Sequence, residues 1–118
     1  MTTAHRKGYA GERAVELLLR SEGLDVHRPR AGRPGDIGDL VGRDLPTVVS
    51  VKNHARLDLA GWVDEMSAMV GRTPFDTGVV IHKRRGKGQA TDWYATTSVG
   101  LWLPLLYALR QQARRDSE

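Results

Sequence analysis

Cysteine is absent from this chain of 118 residues. That excludes a disulfide framework and a thiolate metal site. No apolar run is long enough to span a bilayer. The first residues, Met1-Thr-Thr-Ala-His-Arg-Lys, lack the apolar stretch of a secretory signal. No internal repeat and no low-complexity segment is visible. These absences lead us to expect a cytoplasmic protein with no membrane partner.

What is present fits one modest globular domain over residues 1–118, with a basic N-terminal arm at 1–7 and a polar tail at 113–118. Hydrophobic residues make up 40% and charged residues 27%, ordinary values for a domain with one core. The net charge of +4 says less than its distribution. Basic residues gather at His5-Arg6-Lys7, at Arg28, Arg30 and Arg33, at His82-Lys83-Arg84-Arg85-Gly86-Lys87, and at Arg110, Arg114 and Arg115. The first three clusters fall at element ends or loops, where they can converge on a phosphate backbone. Each taken singly also fits a solvated face.

Helical spacing of Ala10, Ala14, Leu17 and Leu18 predicts a first helix over 8–22, stopped by Gly23. Short strands follow at 24–28 and 39–42, separated by a loop rich in glycine and proline. The β-branched, apolar run 47–52 predicts a buried strand. Asp58 caps a second helix to about Val70, with Leu59, Trp62, Val63, Met66, Met69 and Val70 on one face. Residues 77–82 and 91–96 read as strands joined by the basic, glycine-containing loop 83–89. A last helix covers 98–114, regular from about Leu103 because of Pro104. The order is α-β-β-β-α-β-β-α, which suits an α/β fold with a small mixed central sheet flanked by helices.

Side chains alternate along a strand, so Ser50 and Lys52 share one face, which His54 extends, while Val49 and Val51 point the other way, into the core. A lysine on a buried strand is costly without acidic partners or a role. Asp39, opening the neighbouring strand, is its natural partner. Asp36 is a rival, but it sits early in the loop. An ordinary ion pair at a strand end also fits the pair.

The rest of the chain adds to this pair. Helix 1 opens with Lys7-Gly8-Tyr9-Ala10-Gly11-Glu12-Arg13, and a Gly-rich loop precedes Asp39, followed by Ser50-Val51-Lys52 on the next strand. In this order of motifs the chain resembles the PD-(D/E)xK nucleases, in particular the Holliday junction resolvases of the archaeal Hjc type and their bacteriophage relatives. The resemblance spans roughly residues 7–94 and implies a restriction-endonuclease-like sheet. It implies that Asp39 is the central ligand of Mg²⁺ or Mn²⁺, that Glu12 assists, that Lys52 orients the attacking water, and that Arg13 contacts DNA phosphate. It further implies a homodimer acting on four-way junctions in DNA recombination and repair, in the host cytoplasm if phage-encoded. The chemistry agrees: phosphodiester hydrolysis uses a hard cation on oxygen ligands and a positive group at the developing charge.

Ser50 departs from the family, which has Glu there. Either Ser50 marks a loss of activity, or Asp39 and Glu12 suffice, or another acid has taken over. One branch of similar restriction endonucleases has Ser-x-Lys and takes a glutamate from the following helix. Glu65 lies at the flank of that helix's apolar face, while Asp64 faces solvent, so Glu65 is the candidate; a solvated glutamate is the alternative. Lys83, Arg84, Arg85 and Lys87 are candidate DNA contacts, with Arg30, Arg33 and His54. No element has the look of a base-reading helix, so structure-specific binding is expected. Trp62, Met66, Trp102, Leu103 and Leu106 offer more large apolar groups than so small a core must absorb, and some are candidates for a dimer seam. Two rival functions remain: a catalytically silent junction-binding protein, and a nuclease of linear duplex.

Overall fold

A computed structural model describes residues 2–29 and 37–118, the side chains of residues 4 and 5 excepted. The chain is an α/β fold with three helices and a small three-stranded mixed sheet. Helix α1 (Thr3–Ser21) precedes strand β1 (Val48–Lys52), then helix α2 (Leu59–Val70), strand β2 (Gly78–His82), strand β3 (Tyr94–Thr96) and helix α3 (Val99–Asp116). The sheet order is β1-β2-β3. Strands β1 and β2 run parallel, with Ser50 opposite Val80 and Lys52 opposite His82; β3 is antiparallel to β2.

The parallel pair needs a crossover, and α2 supplies it. Asp58 caps α2 as expected, its carboxylate accepting from the Gly61 N–H at 3.2 Å. The apolar face of α2 then lies on the sheet with Trp62, Met66, Met69 and Val70 buried. They join Val48 and Val80 in one core layer, while Val15, Val26, Leu40, Leu45, Val49 and Val51 form a second layer on the α1 side. Burying each such side chain contributes about 1.5–3 kcal/mol. Both faces of β1 are therefore covered. Ser50 does not point out of the core, as simple alternation suggested; it is fully buried on the α2 side.

Several expectations are corrected. The strands at 24–28 and 39–42 reduce to the isolated bridges His27–Val41 and Leu40–Val49. These still continue the sheet beyond β1, but too few hydrogen bonds form to make strands. Helix α1 starts at Thr3, so residues 3–7 are helical, not an arm. Its inward side is Gly11, Val15 and Glu16, leaving Leu17 exposed. The segment 91–96 opens in a short 3₁₀ turn at Ala90–Asp92 before β3. Helix α3 runs through Pro104 without a break from Val99, capped by Ser98, and includes most of the tail. Trp62 and Met66 are core residues, 8% and 0% exposed, which removes them from any seam.

Helix α3 differs from the other two helices. No residue of it is buried. It is tied on by Leu101, whose carbonyl accepts from the Thr77 hydroxyl at 2.7 Å and whose side chain touches the α2-side layer. Trp102, Leu105, Leu106 and Leu109 are exposed. The molecule is accordingly long in one direction, 53 × 29 × 28 Å.

Candidate active site

The edge of β1 away from β2 is where the polar groups meet. Gly38, at φ +115°, turns the chain into Asp39 in a conformation only glycine adopts easily. The Asp39 N–H then donates to Val49 O at 2.8 Å. Asp39 Oδ2 accepts from the Val51 N–H at 2.6 Å. The carboxylate thus takes the place of a neighbouring strand's carbonyl, and its position is set by the backbone of β1.

Two helices bring further acids to this edge. Helix α1 approaches closely because residue 11 is glycine: a Cβ there would stand 3.2 Å from the Asn53 Cβ and 3.5 Å from a Val51 methyl. That approach carries Glu12 toward Asp39. From the other face, α2 contributes Glu65, whose Oε1 accepts from Lys52 Nζ at 3.1 Å. The Lys52 side chain is only 16% exposed and that of Glu65 is 52% exposed. Lys52 thus rises from a buried strand to meet a half-solvated carboxylate, not Asp39.

The electrostatics mark these groups as one cluster. Burial pushes the Asp39 carboxyl above its usual range; the Val51 N–H and the Lys52 charge oppose this, and Glu65 adds to it. Burial also raises Glu12, and the Asp39 charge adds to the rise, while Arg28 and Lys52 counter it. Burial is the larger cause at both acids, and a neighbouring carboxylate adds to it at each. Beneath them the Ser50 hydroxyl is fully buried and has no hydrogen-bond partner among the described residues; its dipole is the weakest of the influences that favour ionised Asp39. A buried orphan hydroxyl of this kind costs about 1–3 kcal/mol.

A hard divalent cation takes oxygen ligands, and Asp39, Glu12 and Glu65 offer them. Among the described residues no three acids or histidines stand close enough together to hold an ion as placed. The donor chemistry fits such a cation, and the mutual repulsion of the acids is what a cation would relieve. Asp39, with Glu12 and Glu65 from the helices at either side, are the groups that could hold it.

The remaining candidates are dispersed. Arg13 is paired with Glu16 at 3.0 Å. Lys83 lies over the Trp93 ring at 5.9 Å and Arg84 over Tyr94 at 5.6 Å. His54 packs its ring against Trp62 at 5.7 Å. Arg85 and Lys87 are exposed. Arg30, Arg33 and the rival Asp36 lie outside the described residues.

Arg28 belongs with the centre more closely than its cluster in the sequence suggested. It lies over the Tyr9 ring at 4.1 Å and acts on Glu12. The Tyr9–Arg28 contact joins segments far apart in the chain, so no spacing rule announces it. His82 was also missed as a packing group. It is buried between Trp62 and Tyr94, at 5.6 and 5.3 Å, and its Nε2 lies 2.8 Å from the Thr96 hydroxyl. Burial holds its pKa below the usual value.

No protein-family model, curated protein or solved structure matches the chain.

Proposed function

We propose that this protein is a metal-dependent endonuclease of branched DNA, built on a restriction-endonuclease-like core. The observation that carries the reading is the Lys52–Glu65 contact at the edge of β1 where the Val51 N–H fixes Asp39, with Glu12 within electrostatic reach of both Asp39 and Lys52. Acids from two helices and from the segment beside β1, with one largely buried lysine, are what phosphodiester hydrolysis asks for. An ordinary ion pair at a strand end would need only two of them.

In this reading a water oxygen bonds to phosphorus while the bond from phosphorus to a sugar oxygen breaks, and the departing oxygen takes a proton. Lys52 stands at the developing negative charge of the phosphate and stabilises it. Arg28, held by Tyr9, adds a second positive group beside Glu12. A divalent cation such as Mg²⁺ or Mn²⁺, bound by Asp39 with Glu12 and Glu65, would polarise the phosphate and supply a more acidic water. Glu65 supplies the carboxylate that position 50 lacks, and its contact with Lys52 supports that assignment.

The test is cleavage of an end-labelled four-way junction beside a linear duplex of the same sequence, with Mg²⁺ or Mn²⁺ and a Lys52→Ala control. Paired nicks in the junction arms, lost in the control, are expected. Equal cutting of the linear duplex would replace the junction reading with that of a general nuclease. A junction that is bound but never cut would leave a silent binder, a second reading favoured by the orphaned Ser50 hydroxyl.

Symmetric cutting takes two active sites, and the exposed apolar face of α3, including Trp102 and Leu106, is the surface we assign to a second copy. Leu105→Glu should then turn a dimer into a monomer in analytical ultracentrifugation. A parent protein that sediments as a monomer at all concentrations removes the dimer from the proposal.

A further inference from the structure

Beyond the carboxyl ends of β1 and β2 lies an open groove of about 730 Å³. Three segments far apart in sequence build it: the first turns of α1 with Arg6 and Lys7, the exit of β1 with Asn53 and His54, and the exit of β2 with Lys83 and Arg85. Two hydrogen bonds hold the segments together. The Asn53 amide donates to Lys7 O at 2.9 Å, and the Lys83 N–H donates to Lys52 O at 3.1 Å. The groove is therefore attached to the strand that carries Lys52.

Its charge is of one sign. Among the described residues no acidic side chain lines it. Arg13, Arg20, Arg43 and Lys52 are ion-paired, and none of these four lines the groove. Arg6, Lys7, Lys83 and Arg85 are exposed and pair with no described carboxylate. Solvated basic surface usually carries acids among its bases; here four cations and an amide face one concavity without any. In an open sheet, the carboxyl ends of parallel strands are also where ligands collect.

We propose that this groove is a second anion site, distinct from the acidic centre, that grips successive phosphates of one nucleic-acid strand. The proposal deepens the nuclease reading and rests on it for the identity of the polyanion. The groove supplies strand affinity and the acidic centre supplies chemistry, so the two are separable by mutation.

The experiment measures how the affinity of the full-length protein for a single-stranded oligonucleotide depends on salt, with chelator present so that nothing is cut. Each phosphate contact on a single strand contributes about 0.7 to the slope of log affinity against log salt. Lys83→Ala with Arg85→Ala should lower that slope by about 1.4 and weaken binding roughly tenfold or more at low salt. Arg110→Ala with Arg114→Ala removes the same charge from α3 and should leave the slope unchanged. Circular dichroism checks that both variants are folded. Equal flattening by both pairs would mean diffuse attraction and overturn the groove, as would a slope untouched by the first pair; cleavage by the parent would then still stand. Displacement of the strand by inorganic phosphate or a mononucleotide at equal phosphate concentration would make the groove a small-anion site and also overturn the proposal. A parent that binds through the groove yet never cuts would retain this inference and remove the nuclease. A parent that binds no oligonucleotide would remove both.

Discussion

Lys52 and Lys83 are joined by one backbone hydrogen bond at 3.1 Å, yet their side chains live in different media. Lys52 emerges from a strand buried on both faces, is 16% exposed and is paired with Glu65. Lys83 is exposed, with the Trp93 ring centre 5.9 Å from its ammonium. A charge in the first setting is held by a few partners in a low-dielectric site, where each partner counts. A charge in the second setting is screened by salt within about 10 Å and acts by number. The acidic centre thus lies along the edge of β1 and the basic groove beyond the carboxyl ends of β1 and β2, and in the proposed reading the first would supply placement and the second grip.

The largest effect that tests this division is expected at Lys52. Lys52→Ala should lower the cleavage rate about 10² to 10³-fold and leave junction affinity nearly unchanged, while the variant of Lys83 and Arg85 should do the reverse. Single-turnover kinetics beside a binding isotherm separates the two; parallel losses in both assays would merge centre and groove into one site.

Next comes the choice between Glu65 and position 50. Glu65→Ala should cost about 10²-fold in rate, within the range for losing one charged group at such a centre. Ser50→Glu should add a carboxylate to a site with no exposed surface, where Glu65 already acts on Asp39. It should lower both melting temperature and activity. A strong rise in activity with Ser50→Glu, and indifference to Glu65→Ala, would mean instead that Ser50 is simply the defect.

A smaller effect is expected from Gly11→Ala. The added methyl meets the Asn53 Cβ at 3.2 Å, so α1 must shift by a few tenths of an ångström. Strain of about 1–3 kcal/mol outweighs the roughly 1 kcal/mol that alanine gains over glycine inside a helix, so a small net loss is expected in urea denaturation, and Glu12 moves with the helix. An unchanged midpoint and unchanged rate would show that the close approach is not required.

The smallest is a pH effect with a definite sign. Burial raises the Asp39 carboxyl above its ordinary value of 3.8. From that pH upward the folded state holds the proton more firmly than the unfolded state does. Stability therefore falls as pH rises through the raised pKa, and stays lower beyond it. Asp39→Asn retains an acceptor for the Val51 N–H and removes the charge. Its melting temperature should match the parent's near pH 3.5 and exceed it at pH 7, while activity is lost. A gap that does not grow with pH would show that desolvation of Asp39 is not what the fold tolerates there.

Parts of this arrangement were legible in the chain. Alternation placed Ser50 and Lys52 on one face, and helical spacing put Glu65 beside the buried side of α2, where its carboxylate meets Lys52. The Asp58 cap and the apolar face of α2 followed from local rules. Periodicity misled on α1, where the apolar spacing pointed to Leu17 and Leu18, and the structure turns Gly11, Val15 and Glu16 inward. Gly11, noted in the sequence only as part of the opening of helix 1, is where α1 comes closest to Asn53 and Val51. The strands at 24–28 and 39–42 had strand-like composition, but composition does not count the hydrogen bonds a partner can supply.

The sequence by itself determined the residue types, and with them the hard oxygen donors, the absence of thiolate chemistry, the clusters of basic charge and the helices and strands that carry a clear period. Only the tertiary structure decided which of these meet. Glu12 comes within electrostatic reach of Asp39 because Gly11 lets α1 pack close against β1. Arg28 is held by Tyr9 across the first helix, and three basic segments line one groove because two parallel strands end side by side. Local periods are properties of neighbouring residues, whereas these contacts depend on how separate segments bury their apolar faces together, and no residue carries that information alone.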